Sequence, residues 1–118
     1  MEKIKVIVVD DEYDVVNTIS AQLEQRGITV IGKAHDGEEA FALYLTHKPD
    51  VMLLDLKMPN YDGHYAIEKI TGKDPNAKII VISAYLDKHF PSNKVSAVFS
   101  KPYEIDEIVN KIKEITNS

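Results

Sequence analysis

The sequence has no cysteine. Disulfide frameworks, thiol catalysis and thiolate metal sites are therefore excluded, and a reducing compartment is compatible. It has no basic run, and 14 Lys+Arg against 19 Asp+Glu leave a formal charge of -5. That balance argues against a nucleic-acid surface. No apolar run reaches membrane length, and the N-terminus enters a strand with no signal peptide, so the expected location is cytoplasmic. Repeats, low-complexity tracts and linkers are missing too. Neither a Walker loop nor a GxGxxG follows the first strand, which disfavours a nucleotide or flavin site. The six Tyr and three Phe form no stacking pattern for bases. His35, His47, His64 and His89 lack metal spacing and read as surface residues without chemistry.

What is present is a chain of 118 residues, 44% hydrophobic and 28% charged, the size of one soluble domain. Strand and helix patterns alternate along it. Residues 4–9 are a β-branched run, as in a strand covered on both faces. Residues 13–26 place Val16, Ile19 and Leu23 at helical spacing, with Gly27 as the stop. A second strand is expected at Ile28–Ile31. Asp36-Gly37-Glu38-Glu39 has capping-box spacing and opens a helix to about His47. Strands are expected at 51–54, 78–82 and 97–100. Helices are expected near 64–72, with Ala66, Ile67 and Ile70 inward, and at about 104–116, where Ile105, Ile108, Val109, Ile112 and Ile115 form one stripe. The implied fold is α/β: a flavodoxin-like, doubly wound parallel sheet of five βα units in strand order 2-1-3-4-5. Residues 1–118 read as a single domain, with no output domain after the last helix.

Four of the apolar segments end on residues that can handle phosphate or a metal ion. Val6–Val9 runs into Asp10-Asp11, Val51–Leu54 into Asp55, Ile79–Ile82 into Ser83, and Val98–Ser100 into Lys101-Pro102. In such a sheet ligands bind beyond the carboxyl ends of the strands, where the winding reverses. Strands one and three are neighbours there, about 4.8 Å apart, so their terminal carboxylates can share a cation. Oxygen ligands without His or Cys favour a hard ion, Mg2+, with Mn2+ as the alternative. Asp11 and Asp55 are the expected direct ligands, and Asp10 binds directly or through water. Ser83 can hydrogen-bond a phosphoryl oxygen. Lys101, about two strand spacings from Asp55, reaches it only by its length. Nucleophile, metal and ammonium together suffice to assemble an aspartyl-phosphate.

Each motif alone has a plainer explanation. Adjacent acids after a strand are usually a solvated turn, Ser83 a helix cap, and Lys-Pro surface punctuation. Independent accidents do not line up on four strand ends, so the combination reverses the odds. Asp62 is still best read as an N-cap and Gly63 as a turn residue.

VVDDE at 8–12, LLDLKMPNYDG at 53–63, SAY at 83–85 and SKP at 100–102 together resemble the receiver domain of two-component response regulators, across nearly the whole chain. The likeness is greatest to stand-alone receivers of sporulation phosphorelays and chemotaxis. It implies that Asp55 takes a phosphoryl group from a histidine kinase or a histidine phosphotransfer protein. It implies that Asp10, Asp11, Asp55 and the main-chain carbonyl of Lys57 hold Mg2+, that Ser83 and Lys101 sense the phosphate, and that the Lys101–Pro102 bond is cis. Output would pass to an unidentified downstream protein or by onward phosphotransfer. Lys57 and Tyr85 would hang over the site mouth and slow hydrolysis of the acyl phosphate. The sequence departs from the family in two places. Residues 85–94 contain Pro91 and little amphipathic pattern, so the fourth helix is expected to be shortened or irregular. Val98 stands where many receivers carry a Tyr or Phe, and Phe99 falls on the opposite face. Two other functions stay open: a Mg-dependent phosphatase, which would want an acid where Lys57 stands, and a scaffold that is never phosphorylated.

Overall fold

Apolar residues on both faces of β1 (Lys5–Val9) make it an interior strand of the sheet, because Val6 through Val9 are all buried. The structure is a computed structural model and describes residues 3–84 and 92–117. The chain continues through α1 (Tyr13–Gln25), β2 (Thr29–Ala34), α2 (Gly37–His47), β3 (Val51–Leu54), α3 (Gly63–Lys73), β4 (Ile79–Ser83), a short 3-10 turn at Ser92–Lys94, β5 (Ala97–Ser100) and α4 (Ile105–Thr116). The five strands are parallel in the order β2-β1-β3-β4-β5, the flavodoxin-like arrangement expected. The expected irregular helix between β4 and β5 falls largely on residues 85–91, which lie outside the described residues.

Alternation along each strand sends side chains to two separate cores. Ile7, Val9, Met52, Leu54, Ile79 and Val81 meet α2 and α3 on one face. Val6, Val8, Leu53, Ile80 and Ile82 meet α1 and α4 on the other. The stripe of the last helix works as expected: Ile108, Val109 and Ile112 are buried, with Ile105 and Ile115 beside them. Val98 packs in the first core and Phe99 in the second, so the two do lie on opposite faces.

The helix signals correspond to real caps. Asp36 accepts from the Glu39 N–H at 2.8 Å, and Asp62 from the Tyr65 N–H at 3.0 Å. Glu39 reaches back to the His35 N–H at 3.1 Å, one residue before the cap itself. Gly27, at φ 83°, closes α1 in a Schellman arrangement: its N–H donates to the Glu24 carbonyl at 3.1 Å and that of Ile28 to Leu23 at 3.0 Å. The second strand needs correction, since it runs Thr29–Ala34 rather than Ile28–Ile31. Gly32 and Lys33 carry no strand signal, but β1 pairs with them through a register shift between Val6 and Ile7. A Cβ at Gly32 would stand 3.3 Å from Ile7, so the glycine permits that close pairing.

Candidate functional site

Asp10, Asp55 and Lys101 are each gripped by the backbone one rung beyond a strand, and Ser83 ends β4 itself. The Asp10 N–H donates to Ala34 of β2 at 3.1 Å, that of Asp55 to Val9 of β1 at 3.0 Å, and that of Lys101 to Ser83 of β4 at 3.0 Å. The ladder therefore fixes the main chain at the sheet edge and leaves the side chains to meet in front of it. They meet in a cleft of about 490 Å3 lined by Asp10, Asp11, Glu12, Asp55, Lys57, Met58, Pro59, Ala84 and Lys101.

The side-chain geometry is specific. Asp10 is buried, and both its oxygens are engaged: Oδ1 accepts from the Glu12 N–H at 3.0 Å and Oδ2 from Lys101 Nζ at 2.8 Å. Asp55 is 7% exposed, and its Oδ1 accepts from the Leu56 N–H at 2.9 Å. Its Oδ2 lies 3.8 Å from Lys101 Nζ, beyond a hydrogen bond but within strong Coulomb range. The Ser83 hydroxyl, itself buried, also hydrogen-bonds the Asp55 carboxylate. Burial pushes the Asp55 carboxyl above the ordinary 3.8, with Asp10 adding to the rise and Lys101 opposing it. Burial pulls the Lys101 ammonium down, but the hydrogen bond to Asp10 and the charge of Asp55 outweigh it and hold the group above its ordinary value.

Asp10, Asp11 and Asp55 each bring a carboxylate oxygen within 4.8 Å of the others. A Mg2+ ion holds oxygens at about 2.1 Å, so opposite ligands stand about 4.2 Å apart. The donor set is oxygen only and of the right span, and the half-buried Asp11 leaves one side open to water. The residues present fit a hard divalent cation. Lys101 already offsets part of the acidic charge.

Asp10, Asp11, Asp55, Ser83, Lys57 and Lys101 thus come together as expected, and the Lys101–Pro102 peptide is cis. Tyr85 lies outside the described residues. The expectation that the histidines are plain surface groups needs correction at His35. That ring is half-buried, stacks on Tyr13 at 3.6 Å and 9°, and has Nδ1 3.6 Å from Glu39. Sequence reasoning missed the Lys101–Asp10 contact. Strand spacing gives Lys101 the reach to Asp55 but cannot show that Asp10, one strand further, takes the shorter bond. It also missed Met58 and Pro59 as walls of the cleft, because nothing in their types marks them.

The sequence profile of the response regulator receiver domain matches residues 6–113. The chain is 31% identical over 114 residues to sporulation initiation phosphotransferase F of Bacillus subtilis, covering 93% of this chain and 91% of the relative. It is 35% identical to response regulator GacA of Pseudomonas aeruginosa, covering 95% of this chain but only 55% of that protein. Among solved structures, the response regulator TrrA of Thermotoga maritima in complex with Mg(2+)-BeF superposes with a TM-score of 0.87 at 28% identity, covering 95% of this chain and 98% of that one.

Proposed function

We infer the function from a plain premise: the chain belongs to the response regulator receiver domain family of two-component systems. Such domains serve phosphorylation-dependent signalling, and the question for this chain is which residues perform it. Asp55 is the phosphoacceptor. The observation that carries this assignment is the difference between the two buried acids. Both oxygens of Asp10 are tied up, Oδ2 by the Lys101 ammonium at 2.8 Å, whereas Asp55 Oδ2 has that ammonium at 3.8 Å, beyond a hydrogen bond, and the Asp55 carboxylate carries the rotatable Ser83 hydroxyl. Burial also raises the basicity of Asp55, which favours it as a nucleophile.

Asp55 Oδ2 attacks the phosphorus of a phosphohistidine on a histidine kinase or a histidine phosphotransfer protein. The O–P bond forms as the P–N bond breaks, and the bonding pair leaves on the imidazole nitrogen. Lys101 swings its ammonium from Asp10 toward the incoming phosphoryl oxygens, a move of one side chain between neighbours it already touches. Ser83 turns its hydroxyl from the carboxylate to a phosphoryl oxygen. Asp10, Asp11 and Asp55 would hold Mg2+, or Mn2+ in its place, with the Lys57 carbonyl as the further ligand of this reading, and the ion would supply positive charge to the transferring group. The new charge of about -1.5 to -2 biases the loops that carry Ser83 and Lys101, and so the affinity for a downstream protein. Onward phosphotransfer is the other output. The relative named as a phosphotransferase supports it, because this chain matches that protein over almost its whole length. A cytoplasmic location belongs to this reading. Among the described residues no helix is long and apolar enough to cross a membrane.

Hydrolysis of the acyl phosphate is slow in this account, because the exposed Lys57 lines the cleft through which water must come. Lys57 also occupies the place where a phosphatase would need its second acid. The test is intact mass after incubation with acetyl phosphate and Mg2+, followed over time. The parent gains one phosphoryl group, Asp55→Asn gains none, and Lys57→Ser loses its group faster than the parent. A folded parent that gains nothing would leave a scaffold. Steady turnover of phosphate esters would instead make the chain a phosphatase.

A further inference from the structure

Lys101 carries the charge that must move, and its four-carbon stem leaves many places for Nζ to stand. Its backbone is held on one side by the N–H bond to Ser83 at 3.0 Å. The next anchor along the chain is Tyr103, with only Pro102 between. Tyr103 is half-buried and packs against the core on the α1/α4 face. Its hydroxyl donates to Gln22 Oε1 of α1 at 2.8 Å. A phenylalanine would fill the same apolar space, so the hydroxyl contributes only that bond. One turn further along α1, Arg26 bridges to Asp106 of α4 at 2.7 Å, but Asp106 is 79% exposed and such a pair is worth little. Among the described residues the Tyr103–Gln22 bond is therefore a part-buried polar link between α1 and the segment carrying the lysine. The same helix starts two residues after Asp11, so acids and ammonium are referenced to one rigid body.

We propose that the Tyr103 hydroxyl is a positioning group for Lys101: through Gln22 it ties the lysine's loop to α1 and fixes where Nζ stands between Asp10 and Asp55. This rests on the reading of Asp55 as phosphoacceptor. Burial raises the Tyr103 phenol while the Lys101 charge opposes the rise.

The test is a mutant cycle on the full chain, with phosphoryl uptake from acetyl phosphate and Mg2+ read by intact mass. Tyr103→Phe slows uptake by about two- to tenfold, the factor one hydrogen bond supplies, and Gln22→Leu does the same. In a Lys101→Ala background Tyr103→Phe has no further effect, because it acts through the lysine. A structural role alone would slow both backgrounds equally. The NMR signal of the Lys101 ε-methylene, recorded without any phosphodonor, shifts in Tyr103→Phe. Parent-rate uptake by Tyr103→Phe, equal slowing in both backgrounds, or an unmoved ε-methylene signal overturns the proposal. A parent that takes up no phosphoryl group overturns the Asp55 reading and this inference with it, whereas Tyr103→Phe behaving as the parent overturns the inference alone.

Discussion

At the scale of residues, Asp55 pays for its reactivity in stability. Its carboxyl lies in a buried place that disfavours the charged form, so its folded pKa stands above the ordinary 3.8. For a group raised on folding, the stabilising contribution is full below the unfolded pKa and is lost as pH rises through the folded value. At neutral pH the ionised Asp55 is therefore a burden on the fold. Asp55→Asn keeps the shape and removes the charge. Its melting temperature should rise relative to the parent as pH goes from about 3 to about 7, with the gap widest at the neutral end. A gap that stays constant over that range, or a variant less stable than the parent at neutral pH, would contradict this. Lys101 compensates only in part, because its shortest bond goes to Asp10.

At the scale of elements, the site depends on how closely α3 approaches the end of β3. Gly63 opens α3 and donates its N–H to the Leu56 carbonyl at 2.8 Å. A Cβ there would sit 2.5 Å from the Asp55 carbonyl oxygen and 2.6 Å from the Leu56 Cα. Both are backbone atoms and cannot swing away. Gly63→Ala should cost about 2–3 kcal/mol by urea denaturation and displace Asp55 as well. A loss under about 0.5 kcal/mol would show that the junction is looser than described. This contact marks a limit of sequence reading. Gly63 is legible as a turn residue, but its closest neighbours are set by how a helix docks on a strand end, which no local pattern encodes. The caps at Asp36 and Asp62, the stop at Gly27 and the stripe on α4 were legible because each depends on residues within one or two turns. The far half of β2 was not, because Gly32 and Lys33 become strand only through pairing with β1.

At the scale of the molecule, topology does the assembling. Asp10, Asp55, Ser83 and Lys101 are up to 91 positions apart in sequence, yet parallel strands bring all four to one edge. That convergence was legible because a parallel sheet with helical crossovers points every strand the same way, so residues ending apolar runs must share an edge. The internal contacts of the cleft were not, since which carboxylate Lys101 prefers turns on about 1 Å. The net charge of -5 and the acidic cluster make uptake of another anion unfavourable without a cation. The same convergence makes the three aspartates of the cleft competitors for the phosphoryl group, and only one is assigned to receive it. Chemical mapping decides between them. The chain is phosphorylated with acetyl phosphate and Mg2+, the acyl phosphate is reduced with borohydride to homoserine, and the peptides are sequenced by tandem mass spectrometry. Homoserine is expected at position 55 alone, whereas homoserine at position 10 or 11 in the parent protein would contradict the assignment of Asp55.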